Sequence, residues 1–180
     1  MIIVFDTETT GLLAPMAADV NHQPYLVEFF GMKLNWDFET LEVLNFRCRP
    51  PIMIPEEATK IHGITNEDVS HCKRFAEHFL ELGNFFLGTK VAVGHNLMFD
   101  TMVLHWELAR IGRVTSFPWP MRQICTAEIS QQNKGFRQNL TDLHIELFGV
   151  GFTDAHSASA DCATTSKCFI EMVNKGMIAI

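Results

Sequence analysis

Cysteine is scarce and unpatterned in this chain of 180 residues: Cys48, Cys72, Cys125, Cys162 and Cys168 form no CxxC pair. An odd count without paired spacing argues against a disulfide framework and against a zinc site, and it fits a reducing cytoplasm. No run approaches ~18 apolar residues, so no membrane-spanning helix is expected. The first residues show no basic segment, no long apolar stretch and no small-residue cleavage site, so no secretory signal is visible. Positive charge is also short: 14 Lys and Arg stand against 21 Asp and Glu, a net charge of −7. A broad basic surface with strong non-specific affinity for nucleic acid is therefore not expected. That exclusion weakens where acids hold metal ions, because a bound cation reverses the local sign. Repeats, low-complexity tracts and linkers are missing too. What remains is one domain over 1–180, with 47% hydrophobic residues to build its core.

The most informative stretch is the first, MIIVFDTETTG. Met1 to Phe5 is short, apolar and β-branched, and reads as a buried strand. Asp6 and Glu8 continue the face of Ile2 and Val4, with Cα atoms ~6.6 Å apart. Two carboxylates side by side at the end of a buried strand repel and lose water, and a divalent cation is the usual compensation. Taken alone, the pair leaves three readings open: a turn with a solvated Glu8, an aspartyl-phosphate phosphatase, or a metal site. The phosphatase pattern wants Asp at both positions, which Glu8 does not supply.

Residues 12–24 read as a loop punctuated by Pro15 and Pro24. Tyr25 to Lys33 and Val43 to Cys48 read as strands joined by a hairpin over Asn35–Thr40, both beside the first strand. Gly31 marks a bulge or a close approach. Residues 51–69 read as short helical turns, with Pro55 at a helix start, Gly63 as C-cap and Asn66 as the next N-cap. His62, just before Gly63, is either a surface turn residue or a functional one. Phe75, Phe79, Leu82 and Phe86 mark an amphipathic helix stopped at Gly88. Val91 to Val93 reads as a buried strand, Asn96 as an N-cap, and the helix that follows carries Asp100 in its first turns. Such a strand–turn–helix unit presents its loop at the carboxyl edge of a sheet, where ligand sites gather. Arg122 to Cys125 reads as a last strand, with Thr126 capping a short helix. Lys134, Phe136 and Arg137 combine base and aromatic, but so short a stretch is better read as plain loop. Leu140, Leu143 and Leu147 mark a helix closed by Gly149. Ala158, Cys162, Thr165, Phe169 and Met172 form the buried stripe of the last one, with Asp161 in its first turns and His156 ahead of it.

Asp6 and Glu8 in FDTETTG, Asp100 in HNLMFD, and His156 with Asp161 in HSASAD together resemble the three motifs of the DEDDh 3′–5′ exonucleases. The segment IPEEATKIHGITNEDV resembles the proofreading group of that family, and the likeness runs from Met1 to about Val173. It implies an α/β, ribonuclease H-like fold: a mixed five-stranded sheet, three antiparallel strands then two parallel, flanked by helices. It implies that Asp6, Glu8, Asp100 and Asp161 hold two divalent cations, Mg²⁺ or Mn²⁺, and that His156 is the general base. Thr7, Thr9 and Leu12 match positions that hold the terminal nucleotide, Leu12 as a wedge between the last two bases. His62, Asn96 and Phe99 match positions lining the same cleft. With little chain after the last helix, neither a fused polymerase nor a long partner-binding extension is expected.

The residue types agree with that chemistry: hard oxygen ligands suit Mg²⁺ and Mn²⁺, and a neutral His can take a proton from water. The phosphatase reading explains neither Asp100 nor the His156–Asp161 pair. The expected activity is metal-dependent release of nucleoside monophosphates from the 3′ end of single-stranded or frayed DNA, with a polymerase as a partner in trans. The alternatives are an RNA-trimming or oligoribonucleotide-degrading enzyme, and a non-catalytic nuclease-fold module that binds nucleic acid.

Overall fold

The computed structural model describes residues 1–152 and 157–180. Its centre is a five-stranded sheet of order β3-β2-β1-β4-β5. The strands are β1 (Ile2–Thr9), β2 (Leu26–Leu34), β3 (Thr40–Arg47), β4 (Val91–Gly94) and β5 (Arg122–Cys125). β1, β2 and β3 run antiparallel in sequence, whereas β4 pairs parallel to β1 and β5 parallel to β4. This is the mixed ribonuclease H-like sheet expected. The hairpin forms, but β3 pairs only with β2 and lies at the sheet edge, not beside β1.

Strict alternation along β1 makes two cores. Ile3 and Phe5 face one side, with Phe29 and Phe46 of the neighbouring strands. Helix α3 (Phe75–Phe86) and helix α4 (Leu97–Arg110) cover them. Phe5 stacks on Phe29 at 5.9 Å and meets Phe86 edge-on at 5.4 Å. Gly31 is a close approach and not a bulge: a Cβ there would lie 2.7 Å from Phe85. The register shifts fall instead at Glu8/Thr9 and Lys33/Leu34. Ile2 and Val4 face the other side, against Cys162, Phe169 and Met172 of helix α7 (Ala158–Asn174). The other helices are α1 (Glu56–His62) and α2 (Asn66–Val69) ahead of α3, and α5 (Thr126–Lys134) and α6 (Leu140–Phe148) ahead of α7.

Three expected caps resolve differently. Thr65, not Asn66, caps α2 through a reciprocal box with Asp68, while Asn66 Oδ1 accepts from the Ile54 N–H. Asn96 precedes α4 in the left-handed region (φ 76°) but does not cap it, because its Oδ1 accepts from Arg137 instead. Cys125 stands at the α5 cap position, and the Thr126 hydroxyl lies 3.3 Å from the Gly94 carbonyl.

The loop between β1 and β2 is tied to α4. Arg110 donates from Nη2 to the carbonyls of Val20, Gln23 and Pro24, and its guanidinium lies 3.9 Å from the centre of the Tyr25 ring. Glu107 holds Arg110 at 3.0 Å and accepts from the Leu26 N–H. The Gln23 side chain grips Ala14 and Pro15. The start of β2 is thereby fixed relative to the helix that carries Asp100.

Candidate active site

β1 runs past the parallel pairing with β4, which ends at Val4↔Val93, and its last residues project beyond that edge. Asp6 and Glu8 keep the face of Ile2 and Val4, the face covered by α7. Small residues at the start of α7 let it close on β1: Ala158 is fully buried, and Cys162 Sγ donates to the Val4 carbonyl at 3.3 Å. That contact delivers Asp161, one residue earlier. Asp6, Glu8 and Asp161 offer carboxylate oxygens that all lie within 4.8 Å of one another.

Asp100 arrives from α4 and stands outside that group of three. Its Oδ1 accepts from the Thr7 N–H at 3.0 Å and from the Thr7 hydroxyl at 2.7 Å. Thr7 points away from Asp6 and Glu8 by strand alternation, and its backbone N–H and hydroxyl hold Asp100 close enough for the Asp100 charge to act on Asp6. His156 lies outside the described residues.

Burial and mutual repulsion dominate the electrostatics. Loss of water, then the charges of Asp100 and Glu8, hold the Asp6 carboxyl well above the ordinary range. Burial, then Asp161, push Glu8 up to about 8. Burial raises Asp100 to about 7 against the opposing hydrogen bonds from Thr7. A cluster of oxygen donors that must hold protons at neutral pH fits a hard divalent cation, which would replace those protons. The consequence is measurable without substrate. Metal-free native protein binds more protons than the unfolded chain between pH ~4 and ~8, so its stability falls as pH rises through that window. The melting temperature of chelator-treated protein should decline from pH ~5 to ~8, and Mg²⁺ or Mn²⁺ should flatten the decline by binding only the folded state. A flat profile in the chelator-treated protein would show that the acids are not strained.

A cleft of about 840 Å³ opens beside the acids. Glu8 forms part of its wall, and Thr7, Thr9, Leu12, His62, Asn96 and Phe99 all line it. Leu12 is 85% exposed at this wall. His62 has both ring nitrogens engaged: Nδ1 accepts from the Ile64 N–H, leaving Nε2–H to donate to the Thr9 carbonyl at 3.2 Å. Burial keeps its pKa below the usual histidine value, which favours this neutral form. His62 therefore ties the α1–α2 segment to the end of β1.

Sequence reasoning missed His95, which also lines the cleft. Its Nδ1 meets the Thr126 hydroxyl at 2.9 Å and its Nε2 meets the Gln138 carbonyl at 3.1 Å, joining the β4–α4 turn to the α5–α6 loop. Burial lowers its pKa to about 4, so it is neutral. The signal was the residue just ahead of Asn96 in GHN. Also missed was Glu28, whose signal was an acid inside the apolar run YLVEFF.

The family model described as Exonuclease, of the RNase T type, matches residues 3–169. The DNA polymerase III subunit epsilon of Buchnera aphidicola subsp. Acyrthosiphon pisum (strain APS) is 25% identical over 175 residues, covering 94% of this chain and 71% of that protein. Two other curated relatives are matched over 46% and 11% of their own length. Among solved structures, the nuclease domain of 3′hExo, a DEDDh family member bound to rAMP, superposes with a TM-score of 0.77 at 17% identity. That match covers 98% of this chain and 92% of the other. Exonuclease X in complex with 5′ overhanging duplex DNA gives 0.69 at 20% identity, covering 99% and 95%. These two likenesses concern the fold. The family match spans nearly the whole described sheet and its helices, and the chain therefore belongs to the RNase T family of exonucleases.

Proposed function

We propose that this protein removes nucleoside monophosphates from the 3′ end of single-stranded or frayed DNA, with Asp6, Glu8, Asp100 and Asp161 holding two divalent cations, Mg²⁺ or Mn²⁺. The observation that carries the reading is the meeting of Asp6, Glu8 and Asp161 oxygens within 4.8 Å of one another, with Glu8 also lining the cleft. Two cations, when bound, supply positive charge for the attacking and leaving oxygens at phosphorus. The chain's own part is to place the strand end. Leu12 wedges against the last base from the exposed rim, while Thr7, Thr9, His62, Asn96 and Phe99 shape the space for the terminal nucleotide. An imidazole nitrogen of His156 takes the proton of the attacking water. A single domain over 1–180 suffices for this, acting in the cytoplasm with a DNA polymerase in trans.

DNA is favoured because relatives at this level of identity are named DNA polymerase III epsilon subunits. RNA is the second reading, since a structural neighbour is bound to rAMP. The test uses 5′-labelled DNA and RNA oligomers of one sequence and a circular single strand, with chelated and Mg²⁺-restored protein. Stepwise shortening of linear DNA, absent in chelator, with the circle intact, is the expected result. Faster loss of the RNA would reassign the substrate. Internal cutting of the circle would overturn the exonuclease polarity, and metal-independent binding without cleavage would point to a non-catalytic module.

A further inference from the structure

Glu28 takes no part in the roles assigned so far. It interrupts the apolar run of β2, and the register sets it directly opposite Glu8. Its side chain is only 10% exposed. Like charges directly opposite on antiparallel strands destabilise the pair, with Cβ atoms ~4.5–5.5 Å apart. The fold keeps the acid and balances it from the other side. Arg47, the register partner of Glu28 on β3, donates Nε to Glu28 Oε1 at 2.8 Å. An apolar residue at position 28 would continue the strand between buried Val27 and Phe29 without any of this cost. The charge of Glu28 also reaches the site, adding to what holds protons on Asp6, Glu8 and His62. Glu28 nevertheless lies outside the group of oxygens within ligand distance of one another.

We propose that Glu28 is an outer carboxylate of the cation site, lending negative potential beside Glu8 and accepting hydrogen bonds from the cation's water shell, while Arg47 orients it and offsets its charge in the metal-free protein. Mg²⁺ keeps several of its waters when bound, so a carboxylate one water away has a defined task. Partners of that kind change metal affinity by ~10–100-fold when removed. The inference rests on the reading of Asp6, Glu8 and Asp161 as cation ligands.

The test is calorimetric titration of the metal-free protein with Mn²⁺, paired with its melting temperature at pH ~9, above the value of about 8 to which Glu8 is pushed. Glu28→Gln should weaken Mn²⁺ binding on the order of 10-fold while the metal-free melting temperature holds or rises. Arg47→Gln should lower that melting temperature and leave Mn²⁺ binding no weaker than in the parent protein. An ordinary cross-strand ion pair predicts something else: both variants lose stability alike and neither moves Mn²⁺ affinity, a result that overturns the inference. Should Glu28→Gln not fold, Arg47→Gln decides alone, because weaker Mn²⁺ binding in that variant also overturns it. If the parent protein itself binds no Mn²⁺, the cation reading fails as a whole, which is distinguishable from failure at Glu28.

Discussion

Asp6→Asn, Glu8→Gln, Asp100→Asn and Asp161→Asn should each cut the rate of oligonucleotide shortening by at least ~10³-fold, if one ligand underwrites ~4 kcal/mol of charge stabilisation at phosphorus. The fold should survive all four changes, because each amide keeps the shape of the carboxyl group. Stability should separate them in a way that a generic loss of activity would not. Asp6 carries its charge against burial and against Asp100 and Glu8, so metal-free Asp6→Asn should melt above the parent, by a margin that widens as pH rises past ~8 and the parent carboxyls lose their protons. Asp100 is different, because it accepts two hydrogen bonds from Thr7. Asp100→Ala strands a buried N–H and a buried hydroxyl, which costs ~1–3 kcal/mol for each group left unsatisfied. Asp100→Asn retains an acceptor and should avoid most of that loss. Single-turnover rates at saturating Mg²⁺ and thermal melts in chelator check both halves. A near-normal rate in any one variant would remove that residue from the ligand set.

The sheet was legible because its strands are punctuated and alternate cleanly. Ile2 and Val4 against Ile3 and Phe5 already separate the two cores. Asp6 and Glu8 could be placed on the α7 face from that alternation alone, since a period of two leaves no freedom once the buried residues are assigned. What sequence could not give was approach across the sheet. Asn96 has the residue type of a helix cap, yet its oxygen is claimed by Arg137, 41 residues on. Thr126 looks like a cap and instead lies against the Gly94 carbonyl and the His95 ring. Local propensity names the donors and acceptors at a helix end, but tertiary neighbours decide which of them meet. Glu28 shows the same limit more sharply. An acid in an apolar strand is visible in the sequence, but its position opposite Glu8 depends on register across a loop of more than ten residues. Only the fixed base of that loop, through Arg110 and Gln23, makes the register definite.

His156→Ala and His156→Asn are expected to lower the rate by on the order of 10²–10⁴, the usual worth of a positioned general base. His156 lies outside the described residues, and the expectation rests on the motif HSASAD and on the described residues that follow it in the chain. Ser157 caps α7 by accepting from the Ala160 N–H, which fixes the chain direction immediately after His156. Asp161 then stands in the first turn, with its oxygen near those of Asp6 and Glu8. The proposed cation site has carboxylates enough already, and Mg²⁺ prefers oxygen to imidazole. The imidazole must be neutral to take a proton, so the parent rate should rise with pH through the histidine range near ~6.5. A carboxylate beside an imidazole moves such a limb up and a bound cation moves it down. In both variants the limb should flatten, while Mn²⁺ affinity measured without substrate stays at the parent value. A residue that serves only the cap would give a small loss of stability and an unaltered pH profile. A large fall in Mn²⁺ affinity with the acidic limb retained would instead make His156 a ligand, and the base would have to be sought among the other groups of the cleft.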